Sequence, residues 1–138
     1  MDKSMLNELV GQLYMVIHLI SGYPVPDSMP RVVAMPRDTL QQLICDKPCQ
    51  VRAVYFPPLG VLLDDSMNLG GSEYDRSILL HELVHHAQET GGRFENQPSD
   101  CHRRAGSEDE AYRIQNRYLA SKGRDPIPVM RWSLICRE

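Results

Sequence analysis

Residues 81–86 read His-Glu-Leu-Val-His-His, and the spacing of the first five residues suits metal chemistry. Residues four apart on an α-helix lie on one face, one turn above each other. His81 and His85 can therefore aim two imidazole nitrogens at a single ion. Glu82, turned only part of the way round, can touch a water beside that ion. His86 projects about 100° from His85 and is turned away. The competing reading is a core helix whose imidazoles are satisfied by hydrogen bonds. Two requirements separate these readings: the pentad must lie on a helix, and a third ligand must come within reach.

The third ligand is sought downstream. Ser107-Glu108-Asp109-Glu110-Ala111-Tyr112 reads as the opening of a second helix that stops at Gly123. Ser107 and Glu110 fit an S-x-x-E capping box, which gives Glu110 a structural task. At about 100° per residue, Ala111, Tyr112, Ile114, Gln115, Tyr118 and Leu119 form the apolar face. Glu108 falls on that face beside Tyr112 and Gln115, whereas Glu110 points away. A carboxylate at a buried edge calls for a partner, and a dication is a good one. Glu108 is the first choice for the ligand and Glu110 the second. As a plain helix-dipole acid, Glu108 would contribute roughly a few tenths of a kcal/mol.

The pentad followed by a Glu on the next helix resembles the gluzincin branch of HExxH zinc metallopeptidases. The Glu-x-x-Ala pattern is similar to that of the CAAX prenyl protease and ImmA/IrrE-type families, where a Glu three residues before an Ala supplies the third ligand. Here that Ala is Ala111 and the Glu is Glu108. Those families often carry Asp or Asn directly after the Ala; this chain carries Tyr112. The resemblance runs over roughly residues 50–120. The coarse reading of the chain gives an α+β layout, and its length one domain over residues 1–138. The resemblance implies that this domain is minimal and zincin-like, with a small sheet packed on the HExxH helix and a second ligand helix. It also implies Zn2+ on His81, His85 and Glu108, and a peptide or protein substrate. In zincins an edge strand lines the cleft and pairs with an extended peptide. Residues 61–64 are the candidate for that strand, with ordinary sheet core as the alternative.

Two imidazoles and a carboxylate leave a fourth position open for water, the catalytic rather than the structural zinc pattern. Zinc lowers the pKa of such a water to about 7, with Glu82 as the general base that returns the proton to the leaving amine. Developing oxyanion charge calls for a second donor. Tyr112, His102 and His86 are candidates in that order, and Tyr112 has core packing as its other reading. Gln88 reads as a support of the metal face or a core polar group, and His18 as a satisfied core histidine. The alternative to an enzyme is a catalytically silent zincin-like module that holds metal and regulates a protein partner. The presence of Glu82 argues against that, because a structural site needs no base.

These residues require elements to position them. Gly70-Gly71, then Ser72 with Asp75 three residues on, resembles a capping box opening a helix over residues 73–90, and Gly91-Gly92 supplies its stop. Ile78, Leu79, Leu80, Leu83, Val84 and Ala87 surround the wheel, so this helix is expected to be buried on most sides. Residues 4–21 read as a buried helix ending at Gly22, residues 31–35 as a strand, and residues 38–44 as a short helix with Leu40, Leu43 and Ile44 on one face. Residues 50–56 and 60–63 are strand-like, split by Pro57-Pro58. Residues 91–106 read as a loop, and residues 129–136 as a short apolar stretch.

The chain has 138 residues, 42% of them hydrophobic, enough for one core in a single domain. A net charge of −3 and a pI near 5.9 give no reason to expect nucleic acid. No run reaches the roughly 20 apolar residues a bilayer span needs. No signal peptide is apparent, which favours the cytoplasm. Cys45, Cys49, Cys101 and Cys136 allow three pairings. Cys45 and Cys49 bracket Asp46-Lys47-Pro48, a turn-like spacer compatible with a local disulfide that would suit an exported protein. Four reduced thiols are the alternative.

Overall fold

The computed structural model describes residues 1–45, 49–129 and 136. The spacer at residues 46–48 and most of the apolar stretch at residues 129–136 lie outside the described residues. Helix α1 (Lys3–Ser21) is capped by Asp2, whose carboxylate accepts the Met5 N–H at 2.8 Å. It closes on Gly22 at φ 84°, a left-handed turn that glycine adopts without a Cβ penalty. Val10, Leu13, Tyr14 and Ile17 recur at helical spacing and are buried.

Strands β1 (Val32–Met35), β2 (Ala53–Phe56) and β3 (Gly60–Asp64) form a sheet in the order β1-β3-β2, with α2 (Arg37–Ile44) between the first two in the chain. β1 runs parallel to β3, with Val32 opposite Val61; β2 runs antiparallel, with Tyr55 opposite Val61. Every residue of β3 is buried, so Val61-Leu62-Leu63 is a continuous apolar run, as a strand covered on both faces requires. Gly60 sits at φ 107°, and a Cβ there would run into the Arg31 carbonyl, so only glycine lets β3 start this close to β1. Residues 61–64 are thus the central strand, so of their two readings ordinary sheet core holds and the cleft edge does not. The edge strand facing the histidine helix is β2. In α2 only Leu40 is buried; Leu43 is exposed, because this helix covers the sheet with a single row.

Helix α3 (Glu73–Gly91) carries the HExxH pentad. Ser72 Oγ accepts the Asp75 N–H at 3.1 Å, the forward half of a capping box. The return half is absent, because the Asp75 carboxylate instead accepts the Asn68 N–H at 2.7 Å and pairs with Arg52 at 3.0 Å. Gly92, at φ 62°, ends the helix.

Helix α4 (Asp100–Ser121) begins well before Ser107. Ser99 is its cap, accepting the His102 N–H at 3.1 Å. Ser107 is interior and donates to the Arg104 carbonyl at 2.9 Å, so the expected S-x-x-E box does not form. Gly106 lies within α4 because the Phe94 ring rests against it; a Cβ there would meet the ring at 2.8 Å. The glycine serves close approach rather than a stop.

The core joins α1, β3, α3 and α4 through residues such as Ile17, Val61, Leu79, Leu83, Ile114 and Leu119. Each such side chain contributes about 1.5–3 kcal/mol by leaving water. Among the described residues, four helices and a mixed three-stranded sheet make an α+β fold. Disulfides link Cys45 to Cys49 and Cys101 to Cys136, with Cα separations of 6.3 and 5.6 Å. No helix among the described residues is long and apolar enough to cross a membrane.

Candidate metal centre

Packing of α3 against α4 brings His81, His85 and Glu108 together, with their ligand atoms all within 4.8 Å of one another. Glu108 Oε1 lies 3.5 Å from His81 Nε2 and within direct hydrogen-bonding contact of His85 Nε2. The Glu82 carboxylate sits beside them, its Oε2 3.9 Å from His81 Nε2. Its Oε1 accepts the Tyr55 N–H at 2.8 Å, which ties α3 to the outer edge of β2.

The outer nitrogens of both imidazoles are held by glutamines. His81 Nδ1 lies 2.9 Å from Gln115 Oε1, and His85 Nδ1 lies 2.8 Å from Gln88 Oε1. The amide orientations follow from the groups on their other ends. Gln88 Nε2 faces two pure acceptors, the Ser107 carbonyl at 2.9 Å and Glu110 Oε1 at 3.1 Å. Gln115 Nε2 donates at 3.0 Å to Ser77 Oγ, whose own proton goes to the Tyr74 carbonyl. Each glutamine oxygen must therefore face its histidine, and each Nδ1 must carry a proton. In the neutral rings both Nε2 lone pairs then point at the same carboxylate. Three electron-rich atoms in one place need a cation between them, either a proton or a metal ion.

The electrostatics follow that geometry. Burial alone would raise the Glu108 pKa, yet hydrogen bonds from His81 and His85 hold it at about 2. Burial pushes the His85 pKa down, but the bond to Glu108 and the charges of Glu82 and Glu108 outweigh it and raise the value. Burial raises the pKa of Glu82, only partly offset by the two imidazoles and the Tyr55 N–H. The residue set suits a metal: two neutral imidazoles with fixed tautomers, one ionised carboxylate, and hydrogen-bonded support behind both rings.

Tyr112 stacks edge-on against His81, with ring centroids 4.4 Å apart. It lines a cleft of about 280 Å³ together with Ala53, Ile78, His81, Glu82 and Ile127. The other oxyanion candidates lie elsewhere in the fold: His102 bonds Ser99 at the start of α4, and His86 bonds the Tyr14 hydroxyl. His18 is exposed rather than in the core and bonds the Tyr23 carbonyl.

Glu110 does not point to solvent. It is 8% exposed, accepts from the Tyr23 hydroxyl and Gln88, and lies outside the His81–His85–Glu108 group. The Gln115–His81 bond and the Tyr23–Glu110–Gln88 chain do not follow from the sequence pattern. The available signal was helical spacing, since Gln88 is three residues beyond His85 and Gln115 is seven beyond Glu108.

The chain belongs to a family described only as a domain of unknown function (DUF6647), which matches residues 3–137. No curated protein matches it, and no solved structure does.

Proposed function

We propose that this DUF6647 chain is one zincin-like domain and a zinc-dependent metallopeptidase of gluzincin type. The observation that carries this reading is the pair of Nε2 lone pairs turned toward the single Glu108 carboxylate by Gln88 and Gln115. An imidazole-rich N2O donor set suits zinc better than magnesium or calcium, which prefer all-oxygen cages. When bound, zinc supplies Lewis acidity toward a substrate carbonyl and toward water.

The remaining chemistry belongs to the side chains. Glu82 Oε1 is occupied by the Tyr55 N–H, which leaves Oε2 as the basic oxygen. It takes a proton from the attacking water and gives it to the leaving amine, so that water adds across the C–N bond and yields an acid and an amine. Burial raises the Glu82 pKa and so strengthens it as a base. Tyr112, beside His81 on the cleft wall, is the side chain placed to donate to the developing oxyanion. The edge of β2 offers the backbone against which an extended peptide can lie.

Two disulfides support an oxidising compartment and hence an exported protein. Digestion of a casein-like substrate by zinc-loaded protein, compared with the Glu82→Gln variant at equal zinc content, tests the hydrolytic reading. Equal activity in the two proteins would remove it.

A further inference from the structure

A second cleft, of about 340 Å³, opens on the His85 side of the metal group. Tyr55 and Pro57 form one wall and Phe94 another. The Phe94 wall is a built feature. Gly106 leaves room for its ring, and Arg103 Nε donates to its carbonyl at 3.3 Å. Glu89 and Glu95 also line the cleft, and among the described residues no ion pair reaches either carboxylate. The one guanidinium among the described lining residues, Arg103, is already paired with Asp100 at 2.9 Å. The cleft thus offers aromatic and apolar walls, two unneutralised acids and no free cation. Its complement is a side chain with an aliphatic stem and a positive end.

We propose that this cleft is a side-chain subsite that selects Lys or Arg beside the scissile bond of a peptide substrate. The proposal rests on the metallopeptidase reading, because His85 is what places the cleft next to the reacting carbonyl. An acidic side chain would meet like charge. An apolar one would fill the walls and leave both carboxylates without a counter-charge, Glu89 keeping only its hydrogen bond from the Tyr55 hydroxyl. Glu89 and Glu95 are exposed, so their pull is modest and salt-sensitive.

The test titrates three blocked hexapeptides, identical except for a central Lys, norleucine or Glu, into zinc-loaded Glu82→Gln protein. The Lys peptide is expected to bind roughly five- to tenfold tighter than the norleucine peptide, with the Glu peptide weakest. The preference should vanish in a Glu89→Gln/Glu95→Gln double variant and at about 0.5 M salt. Equal affinity for Lys and norleucine, a Lys preference that survives the double substitution, or no binding of any peptide overturns the proposal. The two readings fail separately. If wild type cleaves nothing while the Lys preference persists in binding, the hydrolytic reading is lost and the cleft stands only as a peptide-binding site for a cationic side chain. If it cleaves without regard to charge, only the subsite is lost.

Discussion

The Glu82 carboxylate accepts the backbone N–H of Tyr55 at 2.8 Å, holding the residue next to the first histidine against the outer edge of β2. A glutamine in its place keeps an oxygen for that N–H but cannot take a proton. Glu82→Gln should therefore bind metal as wild type does and melt at a similar temperature, while kcat falls about 10²- to 10⁴-fold. Steady-state cleavage and metal content measured on the same preparations check this. A variant that loses its metal would show that Glu82 works structurally.

Gln115 is 2% exposed and accepts from His81 Nδ1 at 2.9 Å. Gln115→Leu removes that acceptor and leaves a buried ring N–H unpaired. Metal affinity should drop about 10- to 100-fold, read by competition with a chromophoric chelator. Unchanged affinity would mean that the glutamine is a passive filler.

The metal-free protein should carry a pH signature of the Glu108–histidine contact. Glu108 is depressed from 4.5 to about 2, so its contribution is present above about pH 4.5 and is lost as pH falls toward 2. His85 is raised from 6.5, so its contribution is present below that value and is lost as pH rises through the folded value. The pair holds the metal-free fold best between about pH 4.5 and 6.5. The difference in melting temperature between wild type and Glu108→Gln should peak in that window and shrink on either side. A difference that keeps growing above pH 7 would contradict the assignment.

How much of this was legible in the sequence depended on which force decided each feature. The HExxH helix was readable because its stops are glycines and its apolar positions surround it. The start of α4 was not, because Gly106 looks like a breaker in one dimension. Its reason, the Phe94 ring lying against it, exists only in three. The periodicity turns Glu110 away from the apolar face although it precedes Ile114 by one turn. The face is wider than the periodicity suggested, since α4 meets both α3 and the Tyr23 segment after α1. The sequence leaves residues 61–64 open between edge strand and sheet core, because β1 enters beside β3 through a parallel crossover that no local pattern announces.

The Cys101–Cys136 bond closes a sequence separation of 35 residues. Removing it in a Cys101→Ser/Cys136→Ser variant should cost about 3 kcal/mol and lower the melting temperature by roughly 10 °C. Thermal unfolding under non-reducing conditions checks this. An identical melting temperature would argue that the thiols are not paired in the folded protein.

Calorimetric titration of zinc into metal-free wild type, His85→Ala and Glu108→Ala reads the grip of α3 and α4 on a cation directly. The account predicts one ion per wild-type chain and binding weakened at least about 100-fold in both variants, since each would remove one of the three proposed ligands. Zinc bound with equal stoichiometry and affinity by all three proteins would contradict it.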